Sequence, residues 1–363
     1  MSSSEFCGER LELARTFRGL TQAALAREVS ASNALISYYE NGKQTAPPPD
    51  LVDAWGEVLG FQSAFFYEPL RDPFRDEECS FRHRRSAPEN LKKRARAFGT
   101  LIGEVVNYFK SKLDLPAFGI VPRPCANPAD IENAAQACRS HWKLGLDTPI
   151  VHMGRVLENA GVPVVKTLAS TEKVDAFSRR GPTSIVILNT LRNSQSRWTF
   201  DLAHELGHFV CHSDRLTGSV ETEKEADAFA SAFLLPAKAF AREFRSAQFS
   251  WDHMLQLKLR WRVSLQAMTY RAYSLGLMDA LTYRRAFKYI SARQWRTNEP
   301  AEPEAQEPEL LSESLSTLYS ELGEGVADVC RRLYIRPQTF KDLTGIEIPK
   351  PQKINDIERF RRS

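Results

Sequence analysis

At 363 residues with 42% hydrophobic side chains, the chain is long enough to bury roughly two or three separate cores, which excludes a single small domain. A formal net charge of +4 is too small for a whole-protein field to hold nucleic acid, so any such affinity must come from local clusters. Six scattered cysteines, Cys7, Cys79, Cys125, Cys138, Cys211 and Cys330, form no C-x-x-C pair; with no apolar run long enough for a signal peptide or a bilayer span, they read as free thiols of a soluble cytoplasmic protein.

The first expected unit covers residues 1–75. ERLELARTF reads as a helix; Thr21 is placed to N-cap a second, TQAALAREV, and Ser32 a third, NALISYYEN, which ends at Gly42. Two short helices joined by a tight turn, the second carrying polar groups outward, form the pattern of a helix-turn-helix. Ile36 and Tyr39 then face the core, while Asn33, Ala34, Ser37 and Tyr38 face out.

The stretch LTQAALAREVSASNALISYYENGK, followed by the helical PDLVDAWGEVLGF, resembles the XRE family of Cro-type and phage-repressor domains. That resemblance implies a five-helix-type fold on double-stranded operator DNA, with Gln22 on backbone phosphate. It also implies that the outward residues of the third helix meet base edges, which gives Gln22, Ser32, Asn33, Ala34, Ser37, Tyr38 and Lys43 as the expected interface. The third helix offers no Arg to reach guanine.

Residues 76–115 read as a basic helical connector. Arg82, Arg84, Arg85, Lys92, Lys93, Arg94 and Arg96 suit either a solvated face or further phosphate contacts. Residues 116–245 read as an α+β unit: a helix over VHMGRVLENAG, short strands at PVVKT, VDAFS and SIVILN, then a long helix from near Ser196. Residues 246–297 return to helix, and the apolar face of Trp251 to Met278 suits either the core of the preceding unit or a lid or dimer contact packed over its cleft. NEPAEPEAQEPE, 298–309, has the composition of a linker, and 310–363 that of a small helical module. No internal repeat is visible. The expected fold class is mainly α with an α+β part containing a small sheet.

The long helix carries DLAHELGHFVCH. In His-Glu-x-x-His the two histidines leave one helix face a turn apart, within reach of a single ion, and the glutamate lies beside the open coordination position. His204 and His208 are therefore candidate ligands and Glu205 the candidate general base. A third ligand is needed, and ETEKEADAFASAFLLP is the next acidic helix. Its buried face, Ala226, Phe229, Ala230 and Phe233, brings Glu223 to the edge, with Glu225 as the alternative. Asp227 and His212 are expected to support the ligands rather than bind metal, and Cys211 to be a packed thiol.

DAFS, SIVILN, RWTFDLAHELGHFVCH and EKEADAFASAFLLP resemble the ImmA/IrrE metallopeptidase family, in the architecture that carries an N-terminal XRE domain. The resemblance implies a zincin-like, zinc-dependent endopeptidase with one Zn2+ per chain, Mn2+ being the alternative ion. Its implied targets are helix-turn-helix repressors cleaved under stress, here a repressor, a neighbouring gene product or the chain itself, in a homodimeric regulator. The competing reading is a non-proteolytic transcription factor or antitoxin-like regulator whose metal domain senses a ligand or partner.

Overall fold

A computed structural model describes residues 5–75, 78–81, 88–167, 176–191, 193–245 and 249–347. Arg82, Arg84 and Arg85 of the basic cluster, and Val174 and Asp175 of the expected second strand, lie outside them. The chain forms two compact units: one of residues 1–15, 20–69 and 315–363, the other of residues 16–19 and 70–314.

The first unit opens with α1 (Gly8–Phe17), α2 (Gln22–Glu28), α3 (Asn33–Glu40) and α4 (Pro49–Leu59). The Thr21 hydroxyl accepts from the Ala24 N–H at 3.1 Å and the Ser32 hydroxyl from Leu35 at 3.1 Å, so each helix starts where a short polar side chain satisfies an otherwise orphaned donor. Leu25, Ile36, Tyr39 and Trp55 are buried, and Trp55 packs edge-on to Tyr39 with centroids 5.3 Å apart. α4 starts on a proline and ends at Gly60, whose left-handed φ of 82° closes the helix at no steric cost.

The second unit contains β1 (Cys79–Phe81), α5 (Glu89–Lys112), α6 (Pro128–His141), α7 (Met153–Asn159), β2 (Val164–Thr167), β3 (Ala176–Arg179), β4 (Ile185–Asn189), α8 (Gln195–Cys211), α9 (Val220–Leu234), α10 (Ala237–Phe244), α11 (Trp251–Trp261), α12 (Leu265–Ser274) and α13 (Ala280–Ala292). The sheet runs β1-β3-β4-β2, with β2 parallel to β4 and the other pairs antiparallel. All five residues of β4 are buried, as a central strand covered on both faces requires. α8 and α9 cross where the helices come closest: a Cβ at Gly207 would stand 3.1 Å from the Ala226 Cα.

Several expectations change. α5 is more than a connector, since Phe98, Leu101, Ile102, Val105, Val106 and Phe109 are buried, and Arg94 donates to the Phe17 carbonyl at 3.2 Å. The Trp251–Met278 stretch is two helices, because Arg262 takes a left-handed φ of 59° between them. Met254, Leu257, Trp261, Val263, Leu265 and Met268 lie in the same apolar cluster as Leu206 and Phe209 of α8, so the stretch is core and the lid reading falls.

The acidic 298–309 stretch is anchored instead of free. Glu299 and Glu302 both reach the fully buried Lys258 ammonium, at 2.9 and 2.6 Å, and Glu302 also accepts from the Ser196 N–H at 3.0 Å, at the start of α8. Cys125 and Cys211 form a disulfide rather than staying free thiols. The Arg123 N–H donates to the Val210 carbonyl, which brings the two Cα atoms to 5.4 Å, inside bridging range. Their sequence separation of 86 leaves no local signal.

The remaining helices are α14 (Leu310–Leu322), α15 (Val326–Arg332) and α16 (Pro337–Thr344). From Leu315 onward they belong to the first unit. α15 and α16 have the same lengths as α2 and α3, seven and eight residues.

Candidate metal centre and nucleic-acid interface

α8 buries every side chain from Asp201 to Cys211, so its polar groups must find partners inside the protein. The Nε2 atoms of His204 and His208 face each other 3.1 Å apart. Glu223, from the first turn of α9, places Oε2 3.4 Å from His204 Nε2 and Oε1 3.4 Å from His208 Nε2. Ser219 starts α9 with a reciprocal capping box with Thr222, which fixes the turn from which Glu223 projects.

The far sides of the imidazoles are also held. His204 Nδ1 lies 2.8 Å from Asp227, so that nitrogen is the protonated donor and Nε2 presents its lone pair to the centre. His208 Nδ1 lies 2.9 Å from His212 Nδ1, and His212 Nε2 lies 2.8 Å from Glu225. A single arrangement satisfies the whole chain: His212 donates to Glu225, His208 donates to His212, and His208 Nε2 keeps its lone pair. Burial lowers the pKa of His208, and burial followed by the neighbouring His208 charge lowers that of His212 to about 4. Both rings are therefore neutral near pH 7, the form that ligates metal. Burial alone would raise Glu223; donation from protonated Nε2 atoms of His204 and His208 would outweigh it and hold the carboxyl well below the usual range.

This donor set fits a divalent ion. The donor atoms of His204, His208 and Glu223 lie within 4.8 Å of one another, and both Glu223 oxygens are buried with no hydrogen-bond partner among the described residues. Two neutral nitrogens and a carboxylate oxygen suit zinc. Glu225 does not join the set; it accepts from His212 and pairs with Arg215. Glu205 is fully buried beside His204, and the Ser178 hydroxyl on β3 donates to its Oε2 at 2.5 Å. The sequence reading missed Ser178, Arg215 and Gly207. Of these, only the glycine inside His-Glu-x-Gly-His left a signal, as a small residue where another helix crosses.

In the first unit, Ser32, Asn33, Ala34, Tyr38 and Lys43 are exposed and Ser37 half-buried. The Lys43 ammonium sits 5.5 Å from the Tyr38 ring. Asn41 donates to both the carbonyl and the hydroxyl of Ser37. Gln22 is already engaged: its amide donates to Glu40 at 2.6 Å, beside an Arg15 to Glu40 bond of 2.8 Å.

Residues 157–273 match the IrrE N-terminal-like domain, and residues 7–64 match a helix-turn-helix domain. The chain joins these two domains. It carries a helix-turn-helix domain and a peptidase-family domain in one chain. The IrrE N-terminal-like match begins in α7 and ends in α12, so it takes in the metal-site residues of α8 and α9. No curated protein matches the chain. A solved Mycobacterium tuberculosis transcriptional regulator shares 19% identity over 47% of this chain and 51% of that chain, with a TM-score of 0.30. The chain thus spans about half the length of that structure, and a likeness this distant carries no argument. No helix among the described residues is long and apolar enough to cross a membrane.

Proposed function

We propose that this protein is a cytoplasmic, operator-binding regulator whose second unit is a zinc-dependent endopeptidase acting on a repressor-type or neighbouring protein, or on the chain itself. The observation that carries this reading is the convergence of His204, His208 and Glu223 beside a buried Glu205. A pure metal-holding scaffold has no use for a carboxylate at that position.

Zinc bound there would supply Lewis acidity toward a peptide carbonyl and acidify a water molecule. Glu205 would accept that water's proton and deliver it to the departing amine. Ser178, donating to one Glu205 oxygen, fixes the carboxylate rotamer. Asp227 and His212 hold the two ligand rings in the tautomer that binds. On the first unit, Ser32, Asn33, Ala34, Ser37, Tyr38 and Lys43 form the operator face, and Gln22 reaches phosphate only by sharing or leaving Glu40.

One observation favours the second reading, a regulator that holds metal without cleaving. β1 pairs along β3 with Ser80 opposite Ser178, and so takes the sheet edge to which an extended peptide would add as a strand. Co-expression of the wild type and Glu205→Gln with neighbouring gene products separates the two. Fragments that appear only with the wild type, at equal metal content, support the peptidase; identical patterns in both leave the sensor.

A further inference from the structure

We infer that residues 315–345 are a second helix-turn-helix whose binding partner is the first helix-turn-helix rather than DNA, and that this docking is a working part of the DNA-binding unit.

The repeat is close in backbone. α1 is followed by Gly19 at φ 71° and by Thr21 as the cap of α2; α14 is followed by Gly323 at φ 68° and by Gly325 as the cap of α15. In the turns, Ser30 and Tyr334 take left-handed φ values of 52° and 53°, a conformation that L side chains adopt only at a cost. The Ala31 N–H bonds Ala26 O at 2.8 Å, and the Ile335 N–H bonds Cys330 O at 3.0 Å. Burial follows the same rhythm: Leu25 and Ala26 correspond to Val329 and Cys330, and Ile36 and Tyr39 to Phe340 and Leu343.

The chemistry of the outward face has changed. Where the first motif has Gln22, Asn33 and Lys43, the second has Val326, Pro337 and Glu347. Gln338 donates to Asp342 at 2.7 Å, and Lys341 pairs with Glu347 at 2.7 Å. Two carboxylates on this face oppose a phosphate backbone, and Lys341 already pairs with one of them. The position of the capping Ser32 is held by Arg336, and Arg336 points to protein: its guanidinium pairs with Glu57 and donates to the Phe61 carbonyl.

The docked surface is the end of α4. The Gln62 N–H donates to Tyr334 O at 2.8 Å and the Arg336 N–H to Gly60 O at 3.1 Å, which makes an antiparallel bridge between Phe61 and Ile335. The Thr339 hydroxyl adds a bond to Gly60 O at 2.6 Å. Phe61 is fully buried and Ile335 nearly so. The carbonyl that ends α4 is thus satisfied by the second motif instead of by water. α4 carries Trp55, whose ring supports Tyr39 of α3, so the docking braces the helix that presents the operator face.

Two full-length variants test this. Ile335→Asp places a charge in the bridge. It is expected to remove hydrogen-exchange protection from the Gln62 and Arg336 amides and to weaken binding of a short mixed-sequence duplex at low salt by at least about tenfold. Helicity and exchange protection of the Val29 and Ala31 amides of the first motif and of α8 should stay at wild-type levels, which shows that both units remain folded; loss of protection at Val29 and Ala31 overturns the reading of a specific brace. Gln338→Ala combined with Lys341→Ala is expected to leave duplex affinity and footprint unchanged. Undiminished duplex binding by Ile335→Asp, or retained protection at Gln62, overturns the docking role. An altered footprint in the Gln338/Lys341 variant means that the second motif reads DNA, which overturns the assignment of its partner.

Discussion

α3 and α8 both carry polar side chains at helical spacing, and the fold treats them in opposite ways. α3 buries Ile36, Tyr39 and Glu40 and leaves its other groups in or near water. α8 buries everything from Asp201 to Cys211. A partner that arrives fully solvated, such as a DNA backbone and base edges, is met by groups that stay hydrated until contact. An ion that must be held in fixed geometry needs groups already dehydrated and oriented, which only a network of fixed neighbours can maintain.

The largest effect should come from cutting the α8 network at its centre. His204→Ala or Glu223→Ala is expected to lower metal affinity by more than about a hundredfold, read as metal per chain after dialysis against a weak chelator. Asp227→Ala, which removes the partner of the outer nitrogen of His204, should cost about 10–100-fold. Equal metal content in all three variants would break the contrast, because burial would then have nothing to do with an ion.

Glu40 is the exception on α3, a buried carboxylate between Arg15 and Gln22. Removing it leaves Arg15 unpaired, and Glu40→Ala should cost about 3–5 kcal/mol of the first unit's stability in a denaturant titration. A loss below about 1 kcal/mol would mean that solvent already screens the pair. Gly207→Val tests the close crossing of α8 and α9. With Ala226 backbone 3.1 Å from the added Cβ, about 1–3 kcal/mol of destabilisation is expected, together with weaker metal retention as α9 and its Glu223 are pushed away.

The smallest effects belong to the exposed face. Asn33→Ala and Ser37→Ala should change base preference in a selection from randomised duplexes by about 1–2 kcal/mol per affected position, with little change in melting temperature. Gln22→Ala should weaken all sequences alike and also loosen Glu40. A melting loss as large as that of Glu40→Ala would show that these side chains are structural and that the exposed reading of α3 is wrong.

Much of this contrast was legible in one dimension. Thr21 and Ser32 announced their helices because an N-cap acts within three residues, and the face shared by Ile36 and Tyr39 follows from helical period alone. His204, Glu205 and His208 were legible for the same reason: one turn of helix fixes their mutual position. Glu223 could be singled out because the apolar period of α9 showed which acid sits at the buried edge. Glu225, two residues on, lies on the His212 and Arg215 side.

Tertiary structure alone decided the rest, and the reason is distance along the chain. Ser178 meets Glu205 because β3 packs beneath α8, Cys125 meets Cys211 across 86 residues, and the acidic 298–309 stretch is strapped down because a lysine from α11 is buried where its glutamates pass. None of these pairings leaves a periodic or compositional trace, since neither partner is within reach of local geometry. The second helix-turn-helix shows the limit most clearly. Its backbone needs only small and apolar residues at a few positions, which many sequences supply. What it binds is set by Arg336, Thr339 and Ile335 meeting the end of α4, a surface that exists only once the first unit has folded.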